Sequence, residues 1–471
     1  MVKEFDVIVI GAGPAGEVLA GRLGESGAKS VAIVERELVG GECSYYACMP
    51  SKALLRASEV LREAARVPGA AEAVTGEVDV AAVLKRRDAI VGGLRDDHQL
   101  PWLEQRGVEL IRGHARLEGE RRVRVGDELL RARDAVVVAV GTGAAMPPIP
   151  GLAEAGAWSN RELTTATEVP EHLIVVGGGV VGVEMAQAWS SLGSEVTVIE
   201  AADQLLPREE PFAGEEVRQA LERERIDVRT GTLATEVSRE GEEITVRLDD
   251  GEPVSGDRLL VAVGRKPLTA DLGLDTVGLE PGVYLEVDDQ LRVPDVPWLY
   301  AVGDVNGRSL LTHSGKYQAR LAADHILGAP VEATEDGPTA PRVIFTDPQV
   351  AAVGQTLEAA LEAGIEAEAI DLKTSGTAGG AFHGRGARGT TRFVVDLERE
   401  VLIGATFVGP DVADLLHAAT IAIVGEVPIA TLAHAVAPFP TRSELWLKFI
   451  EAYEQEHPIG AGEPRVPAAA A

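Results

Sequence analysis

Cys43 and Cys48 are the only two cysteines of the chain, and both lie in the segment GGECSYYACMPSKALLR, residues 40–56. The residues from Pro50 onward have apolar spacing suited to a helix, with Pro50 in its first turn. Cys48 is therefore expected near a helix N-terminus, where partial positive charge lowers a thiol pKa and favours thiolate. Lys52 follows four residues later and shares that helical face. A zinc half-site would need further ligands, and the chain has no second cysteine cluster, so no metal site is assigned. Two unrelated core cysteines would rarely land at this spacing. Thiol redox chemistry is the expectation.

Glycine-rich turns flank this pair in sequence. Gly11, Gly13 and Gly16 follow the apolar run FDVIVI, and Gly177, Gly179 and Gly182 follow LIVV. In a G-x-G-x-x-G turn the first glycine permits a tight bend, the second lets backbone approach a pyrophosphate, and the third lets helix and strand pack closely. With 52 glycines in 471 residues, chance alone gives roughly 0.6 such matches, so the spacing needs context. Both turns have it: strand, turn, helix, strand. Glu35 and Glu200 end the second strands, where a carboxylate holds ribose hydroxyls and repels a 2′-phosphate. No Arg lies close after Glu200 before Arg208, so NADH is favoured over NADPH. A third match, GRGARG at Gly384, Gly386 and Gly389, follows no strand and is assigned to a loop. Two dinucleotide units imply two dinucleotides, one resident and one exchanging.

These units need a large scaffold, and 471 residues suggest two to four domains. Each strand–helix–strand unit closes a parallel pair by a right-handed crossover, predicting doubly wound α/β domains. MPPIPG (146–151) marks a boundary between them, a short mixed region follows residue 271, and a different texture of strands and helices begins near 337. The chain carries 44 basic against 74 acidic residues, a net charge of −30, which argues against nucleic acid or an anionic membrane as partner. No apolar stretch is long enough to span a bilayer, and Glu4 and Asp6 precede the first apolar run, unlike a signal peptide. With so few cysteines, a cytoplasmic location is expected.

The chain is identified as a member of the flavoprotein disulfide reductase family, resembling dihydrolipoamide dehydrogenase and mercuric reductase. The likeness runs through GAGPAG, the GG-x-C-x4-C-x-PSK box, AVGTGAAMPPIPG, GGGVVGVE, VGRKP (263–267), WLYAVGDV (298–305) and VIFTDPQVAAVG (343–354). It implies an α/β fold with two Rossmann-like domains, for FAD (1–150, with the redox disulfide) and NAD (151–270). A central FAD-contacting domain (271–336), an α+β dimerisation domain (337–460) and a loose tail (461–471) would follow. By the same resemblance Gly11, Gly13, Gly16, Glu35, Lys52, Ala115, Asp304 and Thr312 contact FAD. Gly177, Gly179, Gly182, Glu184, Glu200 and Gly264 contact NAD(H). Lys52 and Glu184 pair beside the flavin, Cys48 is the flavin-side sulfur, and Cys43 exchanges with a small-molecule disulfide, dithiol or other acceptor. The working unit would be a homodimer.

One departure stands out. The family's partner subunit supplies His-x-His-Pro-Thr-x-x-Glu, whose second His moves thiol protons. Here the stretch reads Ala437-Pro438-Phe439-Pro440-Thr441-Arg442-Ser443-Glu444, so Phe439 replaces the base while Glu444 is kept. General acid–base assistance is worth about 10² to 10⁴ in rate. Phe at this position resembles 2-ketopropyl coenzyme M oxidoreductase/carboxylase, although that branch also changes the Glu to His. Four readings stay open: a disulfide oxidoreductase with an unknown acceptor, a carboxylase or C–S bond-cleaving enzyme, a diaphorase-type quinone or metal-ion reductase, and a non-catalytic subunit of a larger complex. His434 and Glu444 are the candidates to replace the missing base.

Overall fold

The computed structural model describes residues 2–337 and 339–457, so the tail expected over 461–471 lies outside the described residues. The first sheet has seven strands. Val108–Arg112, Val31–Glu35, Val2–Ile10 and Glu128–Val138 run in parallel, in register with Val7 beside Val31 and Ile10 beside Val138. Their cores are near-continuous runs of Val and Ile because both faces are covered. Arg122–Val125 and Ala115–Leu117 extend the sheet in antiparallel fashion.

The segment 271–336 builds no sheet of its own among the described residues. Its strand Leu299–Ala301 pairs in parallel with the far half of Glu128–Val138. Its helix Thr312–Ile326 sets Ala319, Ala322 and Ala323 into one core with Leu19, Ala20 and Leu23 of the helix Pro14–Glu25. Small residues on one helix let the two lie close.

A second parallel sheet follows, in the order Asp227–Arg229, Glu195–Ile199, His172–Val176, Arg258–Val261. An antiparallel sheet of Ala234–Glu240, Glu243–Leu248 and Val254–Gly256 packs Val237, Ile244 and Val246 against it. The ribbon Thr142–Ala144 with Arg265–Pro267 links the two nucleotide units. Beyond it lies a five-stranded antiparallel sheet, Arg342–Ile344, Gln349–Gly354, Val401–Gly409, Thr390–Asp396 and Ala367–Lys373. Phe393 stacks on Phe449 of the helix Glu444–Glu456 at 4.5 Å between centroids and meets Phe407 edge-on at 5.6 Å. This is the α+β unit at the C-terminal end.

One hydrophobic cluster crosses all three parts, joining Leu54 and Leu55 to Val183 and Trp189 and to Ile344, Val350 and Val408. GRGARG is a loop, as its context predicts: Arg385 N–H bonds to Arg66 O at 2.8 Å, at the end of the helix Cys48–Arg66. No described helix is long and apolar enough to cross a membrane.

The glycine turns set a sharp steric contrast. A side chain at Gly16 would run into the Gly11 carbonyl oxygen, whereas one at Gly13 would meet nothing within 4 Å. Gly16→Ala should therefore lower the unfolding free energy of the cofactor-free protein by about 1–3 kcal/mol. Gly13→Ala should cost under about 1 kcal/mol, the loss expected from a poorer helix N-cap. Denaturant melts of both variants check the difference.

Candidate functional site

The two glycine turns are built to one plan. Gly11 and Gly177 have φ of +103° and +114°, and each N–H bonds the end of the neighbouring strand, at Val34 O and Ile199 O, both at 2.8 Å. Gly13 and Gly179 cap the helices Pro14–Glu25 and Val180–Ser191. Gly182, like Gly16, presses against the carbonyl of the turn's first glycine. Open space above Gly13 and Gly179, beside helix N-termini, fits the close approach of a pyrophosphate.

The strand-end carboxylates repeat the plan. Glu35 accepts from the N–H of Ala12 at 2.8 Å and of Glu37 at 2.7 Å. Glu200 accepts from the N–H of Gly178 at 2.5 Å and of Ala202 at 2.8 Å. Ala115 starts a strand two residues after Gly113, whose N–H bonds Glu35 O at 3.0 Å. Gly264, at φ +142°, lies between Arg258–Val261 and Arg265–Pro267 and accepts from Ala145 N–H at 2.9 Å. Asp304 accepts from Thr142 Oγ1 at 2.8 Å and lies 3.8 Å from Arg265. Burial pushes its pKa above the usual carboxylate range.

The cysteine segment folds back onto the first turn. Gly40 N–H bonds Ala12 O at 2.8 Å, and a side chain at Gly41 would come within 2.7 Å of Gly13 Cα. Cys43 lies in the short helix Gly41–Tyr45, and Cys48 opens the helix Cys48–Arg66. The cysteines are free thiols, and Cys48 Sγ is 3.6 Å from Thr312 Oγ1, at the start of the helix Thr312–Ile326. The Cys43 thiol shares its proton toward Cys48, which lowers the Cys48 pKa to about 6, with help from Thr312 and Lys52. The same contact, with burial, pushes Cys43 well above the ordinary thiol range. The pair is polarised, with the negative charge on Cys48.

Lys52 Nζ lies 2.6 Å from Glu184 Oε2. Glu184 is buried, and its second oxygen accepts from Phe345 N–H at 2.9 Å. The Phe345 ring faces the Lys52 ammonium at 4.9 Å. Phe345 was missed as a site residue, although it sits inside the VIFTDPQVAAVG motif. Arg265, 3.1 Å from Glu42, was missed too, as was Glu17, which burial pushes up to about 7. A carboxylate one turn into a dinucleotide helix was the available signal. Tyr45 is core, its hydroxyl bonded to Val39 O at 2.9 Å, while Tyr46 lies under Arg161 at 4.5 Å.

Phe439 and Glu444 are carried elsewhere. Phe439 is 76% exposed, and Glu444 starts the helix Glu444–Glu456 and accepts a long bond from Gly379 N–H at 3.4 Å. Among the described residues no hydrogen bond or ion pair links either one, or His434, to the cysteines of the same chain.

Residues 5–322 match the pyridine nucleotide-disulphide oxidoreductase family, and residues 340–449 match that family's dimerisation domain. The chain is 34% identical to dihydrolipoyl dehydrogenase of Thermus scotoductus, covering 97% of this chain and 98% of the relative. It is 30% identical to mercuric reductase of Staphylococcus aureus, over 94% of this chain and 81% of that one. Among solved structures, the Cu(II) complex of the HOCl-induced flavoprotein disulfide reductase RclA from Escherichia coli superposes with a TM-score of 0.84. Its identity is 25%, and the match covers 96% of this chain and 99% of that one. With paired dinucleotide turns, a polarised dithiol between them and these matches, the chain belongs to the pyridine nucleotide-disulphide oxidoreductase family, enzymes that bind FAD and NAD(H).

Proposed function

We propose that the protein passes electrons from NADH through FAD to the Cys43–Cys48 disulfide and on to a small-molecule acceptor. The polarised dithiol beside Thr312 and Lys52 carries this reading. FAD, when bound, supplies a two-electron relay between nicotinamide and disulfide. Gly11, Gly13, Gly16, Glu35, Ala115, Asp304 and Thr312 would hold it, and Gly177, Gly179, Gly182, Glu200 and Gly264 would hold the nicotinamide nucleotide. Cys48 keeps the thiolate on the flavin side. Cys43 exchanges with the acceptor. Lys52, fixed by Glu184, places a positive charge beside the reacting centre.

The active form in this reading is a homodimer. Phe382, Ile421, Val436 and Phe439 expose apolar side chains on the C-terminal unit, the kind of surface a partner subunit covers. Phe439 would then stand beside the partner's dithiol, where it can neither take nor give a proton. That favours an acceptor other than lipoamide, and it is the one observation on the side of a carboxylase-type reaction, in which excluding a proton donor protects a carbanion.

Anaerobic NADH should bleach part of the flavin absorbance and raise a long-wavelength band from the Cys48 thiolate beside oxidised flavin. Because the Cys48 pKa is lowered to about 6, the band should persist above that pH and fade as pH drops through it. A band absent at every pH overturns the redox role of the pair. Stopped-flow reduction should be at least about tenfold faster with NADH than with NADPH, since Glu200 opposes a 2′-phosphate. Equal rates would remove that role from Glu200. Dihydrolipoamide oxidation should be slow, and Phe439→His should raise it by about 10² or more, the range of acid–base assistance. Steady-state assays of both proteins decide this, and a wild type already as fast as the His variant refutes it.

A further inference from the structure

The cysteine segment is gripped from outside its own unit. Asn160, buried in the first turn of the helix Asn160–Thr165, gives both hydrogens of its side-chain amide to that segment. Asn160 Nδ2 donates to Glu42 Oε1 at 2.9 Å and to Tyr46 O at 2.8 Å. A carboxylate and a backbone carbonyl can only accept, so the amide has one orientation. Thr164, one turn further on and also buried, donates its Oγ1–H to the same Tyr46 O at 3.1 Å.

The two anchor points bracket the path between the thiols. Glu42 immediately precedes Cys43, and Tyr46 lies at the bend between the helices Gly41–Tyr45 and Cys48–Arg66. One amide therefore fixes the spacing of the backbone that carries both sulfurs. Asn160 is itself held firmly. Ser159 caps its helix through a capping box with Glu162. Trp158 joins the edge of the second parallel sheet, donating its N–H to Leu259 O at 2.7 Å and accepting from Val261 N–H at 2.9 Å. The grip on the dithiol is thus rooted in the second nucleotide unit.

We propose that Asn160 is a positioning residue that sets the reduction potential of the Cys43–Cys48 couple, by holding the free dithiol in the geometry from which the disulfide closes. This rests on the disulfide reductase reading above. In the oxidised chain the S–S bond itself ties residues 43 and 48 together. In the reduced chain that task falls to the clamp, so the clamp removes conformational freedom chiefly from the dithiol. The two sulfurs then meet at high effective concentration, which favours the disulfide. Without Asn160 the reduced loop spreads and the couple becomes easier to reduce.

Dithiothreitol is the probe. Its thiolate attacks one sulfur of the Cys43–Cys48 bond, which breaks, and its second thiolate then displaces the protein sulfur as the probe's own ring disulfide closes. Two electrons and two protons pass to the protein. FAD-loaded enzyme is equilibrated anaerobically across ratios of reduced to oxidised dithiothreitol, and free thiols are alkylated and counted by mass. The chain has only two cysteines, so the count reads this couple alone. Asn160→Ala leaves Thr164 on Tyr46 O and Arg265 beside Glu42, so neither acceptor is emptied. It should shift the equilibrium about tenfold toward the dithiol, a rise of about 30 mV in midpoint potential. Thr164→Val should shift it the same way by about threefold, the effect of one lost hydrogen bond, with FAD content and flavin spectrum unchanged. A wild-type midpoint in Asn160→Ala, or a shift toward the disulfide, overturns the proposal. Should Asn160→Ala fail to hold FAD, Thr164→Val decides alone, and a wild-type midpoint there overturns it. If the wild-type enzyme shows two free thiols at every ratio, the disulfide reading fails and takes this proposal with it.

Discussion

The Lys52–Glu184 pair is the joint on which the site depends. Lys52 belongs to the helix that begins with Cys48, and Glu184 to the helix that caps the second glycine turn. Phe345 N–H, from the C-terminal unit, fills the other Glu184 oxygen. Three parts of the chain therefore meet at one buried carboxylate, and none can shift without leaving that charge under-satisfied. Around it the contacts multiply: Arg62 with Glu224 at 2.7 Å, Gln187 with the Asp347 carbonyl at 3.1 Å, and the shared core of Leu54, Trp189 and Val350. The dithiol and the second nucleotide turn are held in one frame by these few interactions.

What was legible in the sequence is what is local. Each glycine turn, its helix and its carboxylate lie within one strand–helix–strand unit, so residue types and spacing suffice. The cysteine segment is equally compact. Phe345 and Arg265 reach the site from distant parts of the chain, and no periodicity announces that. The segment 271–336 was legible as a region of its own, yet its strand adds to the first sheet, because pairing with Glu128–Val138 is a choice made between remote segments. GRGARG shows the reverse case. It has the spacing of a nucleotide turn, but Gly384 and Gly389 serve close backbone approach to Arg66 and Val408.

Charge is distributed with the same economy. Most acidic groups are spread over the surface, and many pair with arginines close in space, as Arg218 does with Glu215 and Glu222. Net charge thus says little about the site. The local field is set by groups such as Lys316 and Arg320, which form no ion pair among the described residues and which bulk composition conceals.

The two strand-end carboxylates have a further consequence. Glu35 and Glu200 each tie down an N–H of their own glycine turn and another just beyond their strand. Each turn and its carboxylate thus form one hydrogen-bonded piece. The consequence is local rigidity: each carboxylate is fixed by two backbone N–H groups of its own unit, so neither acid can swing away without loosening the bend beside it.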